Sequence, residues 1–294
     1  MTATGTRAGS PLHTGDPRFG APREVDVLIP TRDRAAELAV TLTGLAAQEG
    51  VPDFGVAVSD QSEGDPAWAT PAVAAAVRIL RHRGRPVLLE RHLPARGLAE
   101  QRAFLLGLSQ ARYVLSLDDD VWLEPGTLAR MVAAIRRLGC GFVGSFVHGL
   151  SFVDDVRPAT HVLYEEWTGP PVPERVRPGT REWERSRLHA AANLLHLTER
   201  LGLRPGEWRA YKVAWVGGCV LYDRRKLLAS GGYDFWPHVP VPHAGEDVAA
   251  QLAVLERYGG AGIVPSGAYH LESPTTVPVR EVQCYDVTLA EVAR

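Results

Sequence analysis

The chain has 294 residues, of which 45% are hydrophobic and 22% are charged, and its net charge is −2. These proportions are typical of a globular protein with a buried core, and they exclude the collagen, coiled-coil and wholly disordered classes. Because 32 basic residues nearly balance 34 acidic ones, the composition gives no reason to expect nucleic acid as the main partner.

The cysteines and the apolar segments indicate the expected compartment. Cys140, Cys219 and Cys284 are odd in number and widely spaced, so we expect reduced core thiols rather than disulfides or a zinc site. Residues 1–23 lack the apolar block of a signal peptide and are predicted to be a flexible tail. No apolar run reaches the roughly 20 residues that span a bilayer, so the sequence predicts a cytoplasmic protein without an integral membrane segment.

From Val25 onward, short strand-like segments alternate with helical ones, which is typical of βαβ units and a mostly parallel sheet. The predicted strands are "VDVLIP", "FGVAVSD", "RPVLLER" and "RYVLSL". Helices are predicted over residues 35–48, over "PAWATPAVAAAVRIL", where Pro71 breaks the first turn, and over "GLAEQRAFLLGLSQA". "RYVLSL" is apolar almost throughout, so we expect it near the centre of the sheet.

The second half of the chain is less regular. Pro125 opens a helix with an apolar stripe, and "GFVGSFV" follows as a strand. Residues 148–212 are rich in Arg, Glu, Trp and Pro and predict an insertion over the sheet, with one helix around 182–201. "AWVGGCVLYDRRKLLASGGYD" predicts a strand and a helix, "GEDVAAQLAVLERYG" a helix and "AGIVPS" a strand, so that residues 24–294 form a single α/β domain.

Polar residues follow the first four predicted strands. They are "PTRDR", then Asp60 with Ser62, then Arg96, and then the aspartates 118–120. In open α/β sheets, ligands bind in the crevice beyond the carboxyl ends of the parallel strands. We therefore expect these four groups to converge on one site.

The three adjacent aspartates allow two interpretations. Asp is common in solvated turns. The apolar segments on both sides, however, predict a partly buried site, where unpaired carboxylates would repel one another and lose hydration. Mg²⁺ or Mn²⁺ would remove this repulsion, because such ions use one or two carboxylates together with phosphate oxygens and water. The second interpretation is therefore a divalent cation that bridges a diphosphate.

The chain resembles the family 2 glycosyltransferases over residues 25–149 and 214–273. The resemblance implies the GT-A fold, with a Rossmann-like, mostly parallel central sheet, helices on both faces and an acceptor-side insertion. In that family a "DxD" element after a central strand binds the ribose and the metal of a nucleotide-sugar. Asp120 would then be the metal ligand, with Asp118 and Asp119 nearer the ribose and Asp118 also able to reach the metal.

The resemblance also divides the domain and assigns the nucleotide. Residues 24–147 would bind the nucleotide-sugar, 148–273 the acceptor, and 274–294 would be a C-terminal segment. "IPTRDR" resembles the turn that cradles the nucleobase, so that Pro30, Thr31 and Arg32 would line the nucleotide pocket.

A carboxylate and an arginine extend the assigned nucleotide site. Asp60 would accept a hydrogen bond from the imide of uracil or thymine, which favours a UDP- or dTDP-sugar; the alternative is an Asx turn that closes the strand. Arg96 would contact the diphosphate, with a surface arginine as the alternative. The family pattern often has Asn near the position of Arg102, so the sequence departs from the pattern there.

Two further carboxylates, in "PHAGEDVAAQL", are assigned to the acceptor. In the resembling family an "ED" at this place approaches the acceptor hydroxyl, so Asp247 would be the general base and Glu246 would help to position the acceptor. Acidic residues are also favoured at helix starts by the helix dipole, and both interpretations can hold together.

The remaining assignments are one metal ligand and one strand. His270 in "GAYHLES" would complete the metal shell, with a structural histidine as the alternative. Trp215, Gly217 and Gly218 in "AWVGGCVLY" would let the acceptor or donor sugar approach the backbone, with a core Trp and a strand bulge as the alternative.

These assignments together predict a metal-dependent glycosyltransferase that moves one sugar to a small-molecule or glycan acceptor. Inversion follows from the family and a single base, and retention stays open. The chain has only a fragment, "GEWRA", of the QxxRW element of processive members. Trp167, Trp183 and Trp208 would belong to an acceptor cover. A sugar nucleotidyltransferase and a non-catalytic nucleotide- or sugar-binding module remain as alternatives, and the oligomeric state is left open.

Overall fold

A mixed eight-stranded sheet forms the centre of the protein. The computed structural model describes residues 14–292. Within that range the large sheet contains β1 (Val25–Thr31), β2 (Phe54–Asp60), β3 (Val87–Arg91), β4 (Tyr113–Leu117), β6 (Phe142–Gly144), β8 (Arg209–Tyr211), β9 (Cys219–Asp223) and β10 (Gly260–Val264). A small sheet contains β5 (Val121–Leu123), β7 (Val147–His148) and β11 (Ala268–His270).

The strand order of the large sheet is β3, β2, β1, β4, β9, β6, β10, β8. Strands β1 to β4 are mutually parallel, and β6 and β10 also pair in parallel, whereas β9 and β8 are antiparallel to their neighbours. The predicted mostly parallel sheet is confirmed, and β4 lies at its centre as its apolar sequence predicts. The carboxyl ends of β1 and β4 therefore meet at the same edge.

Helices cover both faces of this sheet. They are α1 (Ala35–Ala46), α2 (Pro71–His82), α3 (Leu98–Leu108), α4 (Thr127–Leu138), α5 (Arg181–Glu184), α6 (Asn193–Leu201), α7 (Arg224–Ala229), α8 (Glu246–Tyr258) and α9 (Cys284–Val292). The buried side chains of α1, α2 and α4 share one apolar cluster with one face of β1 and β4, and those of α3, α6 and α8 share another with the opposite face. Alternate residues of each strand supply the two faces.

Two prolines lie at or near the starts of helices. Pro71, predicted to break a first turn, is the first residue of α2, where its missing N–H costs no hydrogen bond. The helix predicted to open at Pro125 begins two residues later, at Thr127, after Gly126 in a left-handed conformation.

The prediction of a single helix around 182–201 is wrong. The chain forms α5, a 3₁₀ turn over Arg185–Leu188, and then α6. Asn193 is fully buried and donates to the carbonyl of Leu188 at 3.0 Å and to the hydroxyl of Thr160 at 2.7 Å. A buried amide must be paired. Leu188 ends the 3₁₀ turn before the break and Thr160 lies in an earlier segment, Pro158–Leu163, so pairing Asn193 with both favours two short helices over one long one.

The strand predicted from "GFVGSFV" also divides. Its first part is β6 in the large sheet and its second part is β7 in the small sheet. In the small sheet, β11 pairs with β5 and places His270 opposite Val121. This pairing brings His270 and Leu271 beside the aspartates that precede β5, and the Leu271 N–H donates to the Asp120 carbonyl at 2.8 Å.

Residues 1–23 are predicted to be a flexible tail. Residues 1–13 of the predicted flexible tail lie outside the described part. Residues 14–23 are mostly exposed but contact the domain, because Phe19 is buried and the Leu89 N–H donates to the Thr14 carbonyl at 3.0 Å. The three cysteines are buried free thiols, as predicted. In the part of the chain that the structure describes, no helix has the length and apolarity needed to cross a membrane.

Gln251 connects α8 to the segment before β9. Its side-chain oxygen accepts from the Val216 N–H and its amide donates to the Val216 carbonyl, both at 2.8 Å, and the side chain is fully buried.

We expect Gln251→Leu to lower the free energy of unfolding by about 2–4 kcal/mol, since two buried backbone groups lose their partners. Urea unfolding measures this; the exposed Gln110→Leu is the control, and equal stability of the two variants would contradict the prediction.

Candidate active site

A cleft of about 370 Å³ opens at the carboxyl ends of β1 and β4, beside the first turn of α8. Most of the residues that the sequence assigns to a site line it. These are Pro30, Thr31, Arg32, Asp118, Asp119, Asp120, Gly217, Gly218, Glu246, Asp247 and His270. The predicted convergence of "PTRDR" with the three aspartates is therefore present in the structure, although the roles of the individual residues stay predictions.

Three assigned residues do not line the cleft. Asp60 is fully buried, and its two carboxylate oxygens accept from the N–H groups of Ser62 at 2.7 Å and Ala67 at 2.6 Å. The Asx-turn alternative thus describes the contacts of Asp60. Arg96 is exposed at the surface before α3. Trp215 packs against Trp183 instead, with ring centroids 4.6 Å apart.

The tryptophans predicted to cover an acceptor also pack away from this cleft. The Trp167 ring donates its N–H to the Gly260 carbonyl at 3.2 Å, and the Arg137 guanidinium lies over Trp208. The opposite wall of the cleft comes instead from the segment after β11, through Ser273, Thr275, Thr276, Val277 and Arg280. The sequence contained no signal for this, because the segment has no periodic pattern.

The backbone after β4 is held so that successive aspartates point to different partners. The Asp118 N–H donates to the Gly218 carbonyl at 2.9 Å, and the Thr41 hydroxyl donates to the Asp119 carbonyl at 2.7 Å. Gly218 has a positive φ of +75°, and a Cβ there would lie 2.9 Å from Val147. Glycine is therefore required at this position by conformation and by space.

Two of the three aspartates are buried. Asp119 and Asp120 are only 6% and 3% exposed. Burial raises the pKa of Asp119 to about 7, although a hydrogen bond from the Thr31 hydroxyl, at 2.6 Å, opposes the shift. Burial, followed by the charge of Asp118, also raises the pKa of Asp120. The site therefore holds more negative charge than its surroundings stabilise, and it favours added cations.

Arg34, the last residue of "PTRDR", already supplies one positive charge to the aspartates. One guanidinium nitrogen, Nη1, donates to Asp119 Oδ1 at 3.2 Å and to Asp120 Oδ2 at 2.6 Å, and Nη2 donates to the Pro274 carbonyl. Arg34 was not among the residues predicted for the site. The spacing in the chain gave no indication that its side chain reaches residues 119 and 120.

Arg102 supplies the second positive charge and was also missed. It is 5% exposed and donates to Ser116 Oγ at 2.6 Å, to Asp118 Oδ1 at 2.7 Å and to Glu246 Oε1 at 2.8 Å. Burial lowers the pKa of Arg102, but the carboxylates of Asp118 and Glu246 outweigh it, so that the pKa lies well above its ordinary value. Its only signal in the sequence was the departure from the family's Asn.

Asp247 faces the same cleft from the first turn of α8. Its Oδ1 accepts from the Val248 N–H at 2.8 Å, and a Cβ at Gly217 would lie 4.0 Å from its Oδ2. Burial, and then the charge of Glu246, raise the pKa of Asp247 to about 7, while Arg102 acts in the opposite direction. A carboxylate with such a pKa is suited to accept a proton near neutral pH.

The residues of the aspartate cluster fit a divalent cation that takes most of its ligands from phosphate and water. The described residues contain no group of three or more His, Cys, Asp or Glu side chains arranged to hold a metal. Asp120 and Asp118 nevertheless offer carboxylate oxygens to one cleft, and sites for Mg²⁺ commonly use only one or two carboxylates. The donor set is thus compatible with such an ion.

His270 lies beside this cluster but is oriented by another hydrogen bond. Its Nε2 is 3.4 Å from Asp120 Oδ2, and its Nδ1 accepts from the Glu272 N–H at 2.8 Å. An Nδ1 that accepts a hydrogen bond leaves the proton of the neutral ring on Nε2. Ligation of a metal through Nε2 would therefore require that the bond to Glu272 be broken.

The family of the chain follows from its sequence pattern and agrees with this geometry. The pattern of the family described as glycosyl transferase family 2 matches residues 26–198. The chain belongs to this family, which confirms the resemblance seen in the sequence. A comparison with curated protein sequences gives no match.

Solved structures with the same fold are glycosyltransferases of the GT-A type. One is the mannosyltransferase PcManGT from Pyrobaculum calidifontis in complex with GDP-Man and Mn²⁺, with a TM-score of 0.53 and 18% identity over 87% of this chain and 59% of that chain. Another is S. aureus TarS 1-349 in complex with UDP-GlcNAc, with a TM-score of 0.51 and 16% identity over 86% and 60% of the two chains. The chain thus spans about 60% of the length of these structures.

Removal of Arg102 should destabilise the protein in a manner that depends on pH. We expect Arg102→Gln to lower the free energy of unfolding by about 3–5 kcal/mol at pH 8, because it leaves the charges of Asp118 and Glu246 without their partner. The loss should shrink towards pH 5, because Asp247, whose pKa is about 7 and is held down by Arg102, is then protonated and no longer repels Glu246. Denaturant unfolding at both pH values measures this.

The exposed Arg96→Gln is the matched control for this variant. It removes the same charge at a position six residues before Arg102 in the chain, and it should leave the free energy of unfolding unchanged. A loss in Arg102→Gln that is equal at pH 5 and pH 8 would show that packing, and not charge, explains the role of Arg102.

Proposed function

We propose that the protein is a glycosyltransferase that moves one sugar from a nucleotide-diphosphate sugar to an acceptor hydroxyl, with a divalent cation. The observation that carries this proposal is the position of Asp247, which faces the same cleft as the three aspartates after β4. A proton acceptor and a cluster that attracts a cation and a diphosphate are both needed for such a transfer. Membership of glycosyl transferase family 2 supports transfer over nucleotidyl transfer or binding alone.

The donor would lie along the edge formed by β1 and β4. We assign the nucleobase to the part of the cleft lined by Pro30, Thr31 and Arg32, and the ribose and diphosphate to the part lined by Asp118 and Asp120. UDP- or dTDP-sugars are the proposed donors. Asp60 could contact the base only if its bonds to the backbone of the loop after β2 were exchanged.

Asp118 and Asp120 are the proposed ligands of Mn²⁺ or Mg²⁺, with His270 as a further candidate. Such an ion, when bound, neutralises the charge that develops on the departing nucleotide diphosphate. PcManGT, which has the same fold, was solved in complex with GDP-Man and Mn²⁺. That structure supports the proposal of a divalent cation in this protein. Arg102 keeps the Asp118 carboxylate in place through its bond of 2.7 Å, so the oxygen that remains is directed at the cleft.

Asp247 is the proposed general base for the acceptor hydroxyl. Its raised pKa matches a base that works near neutral pH. Because it is a single carboxylate on the acceptor side, we propose direct displacement with inversion at the anomeric carbon. Glu246 acts through Arg102, to which it is bonded at 2.8 Å, and so positions the first turn of α8 and with it the acceptor-side wall.

The two halves of the domain would then have distinct tasks. We propose that residues 24–147 bind the donor and that residues 148–273 provide the acceptor side, including Gly217 and Gly218 close to Asp247. Trp215 supports this wall from behind through its contact with Trp183.

Asp247→Asn should abolish transfer while it leaves nucleotide binding nearly intact. We expect kcat to fall by at least about 100-fold, because the amide cannot accept the proton, and the Kd for the nucleoside diphosphate to change less than about twofold. Product formation and calorimetry measure these quantities. The exposed Asp234→Asn is the control, and unchanged turnover in Asp247→Asn would contradict the assignment of the base.

The wild-type kcat should depend on pH with the sign of a base. Because Asp247 must be ionised and its pKa is about 7, kcat should be constant above that pH and should fall roughly tenfold per unit below it. A profile that stays flat down to about pH 5 would contradict the assignment, since only a carboxylate with an ordinary pKa would behave so.

A further inference from the structure

Arg34 forms an ion pair with one carboxylate oxygen of Asp120. Its Nη1 lies 2.6 Å from Asp120 Oδ2, and the same oxygen is 3.4 Å from His270 Nε2. The side chains of Arg34 and Asp120 are only 11% and 5% exposed. This carboxylate oxygen is therefore shielded from solvent and already satisfied by a positive group.

A guanidinium group and a divalent ion would compete for that oxygen. A metal–oxygen bond of about 2.1 Å for Mg²⁺ leaves no room for a second cation in hydrogen-bond contact with the same lone pairs. Two cations at such a distance in a buried site repel each other strongly, because little water screens them. An ion bound to Asp120 Oδ2 would therefore displace Nη1 of Arg34 from that oxygen.

After it leaves Asp120, the guanidinium would keep Asp119 as a hydrogen-bond partner and would have N–H donors for another ligand. Nη1 is also 3.2 Å from Asp119 Oδ1, so Arg34 can stay beside the cluster after it leaves Asp120. Arginine donors suit the paired oxygens of a phosphate. The other arginines that line the cleft have different partners. Arg102 is bonded to Asp118 and Glu246, Arg32 is bonded to Glu63, and Arg280 donates to the Val277 carbonyl and the Thr275 hydroxyl.

We propose that Arg34 and the divalent cation are mutually exclusive partners of Asp120, and that the cation transfers Arg34 from Asp120 to the donor diphosphate. In the absence of both ligands, Arg34 stabilises the aspartate cluster as a built-in counter-ion. The first half of this proposal concerns the metal-free protein and stands independently. The second half rests on the proposed function, because it requires a diphosphate in the cleft.

The first test measures Mn²⁺ binding in the absence of nucleotide, by the electron paramagnetic resonance signal of free Mn²⁺. We expect Arg34→Gln to bind Mn²⁺ at least about fivefold more tightly than the wild type, because the competing cation is gone. Arg34→Lys retains the charge and should remain near the wild type. Equal or weaker Mn²⁺ binding by Arg34→Gln would overturn the proposal, since a structural role of Arg34 predicts a loss.

Arg91→Gln is the control for the loss of one positive charge. The guanidinium of Arg91 donates to the backbone carbonyls of Ser62, Glu63 and Gly64, and Arg91 is not among the described residues that line the cleft. Its Mn²⁺ affinity should equal that of the wild type. A gain as large as that of Arg34→Gln would show that net charge, and not the contact with Asp120, sets the affinity, and would overturn the proposal.

The second test measures the affinity for UDP at saturating Mn²⁺ by calorimetry, with uridine as the probe without phosphate. We expect Arg34→Gln to lose about tenfold in UDP affinity and nothing in uridine affinity. If UDP affinity is unchanged while Mn²⁺ affinity rises, the transfer to the diphosphate is refuted and the competition remains. If the wild type does not bind UDP or any other nucleoside diphosphate, the proposed function fails, and the first test still decides on the competition.

Discussion

The three hydrogen bonds of Arg102 connect the two sides of the site. They join Ser116 at the end of β4, Asp118 after it, and Glu246 in the first turn of α8. A buried guanidinium with carboxylates on two elements fixes the distance between them, because removing either partner leaves a charge without compensation. Asp247 is the next residue after Glu246, so its place in the cleft depends on this ion pair.

Burial gives the cleft its electrostatic character. Asp119, Asp120 and Asp247 all have raised pKa values, and in each case burial is the main cause. Ionised carboxylates in such a buried site destabilise the folded protein, and bound cations reduce this cost in free energy. The arginines from the turn after β1 and from α3 reduce that cost, and a divalent ion with an anionic donor would reduce it further.

The sequence predicted the elements that depend on local patterns. The alternation of β1 to β4 with α1 to α3 follows from hydrophobic periodicity, and the cluster after β4 follows from charges set against an apolar strand. The interruption at Asn193 was missed because the partners of its amide are distant in sequence or lie outside any periodic element. Arg34 and Arg102 were missed for the same reason, since nothing in a chain pattern shows which of many arginines reaches a given carboxylate.

We propose that one cleft binds a divalent cation and a nucleoside diphosphate together. A thermal-shift panel of nucleoside diphosphates, with and without Mn²⁺, on the wild type and on Asp120→Asn tests it most directly, because ligands that bind the native state raise Tm. Tm should rise for UDP or dTDP only when Mn²⁺ is present, and the rise should be lost in Asp120→Asn. A rise that is the same without Mn²⁺ and in the variant would contradict the claim.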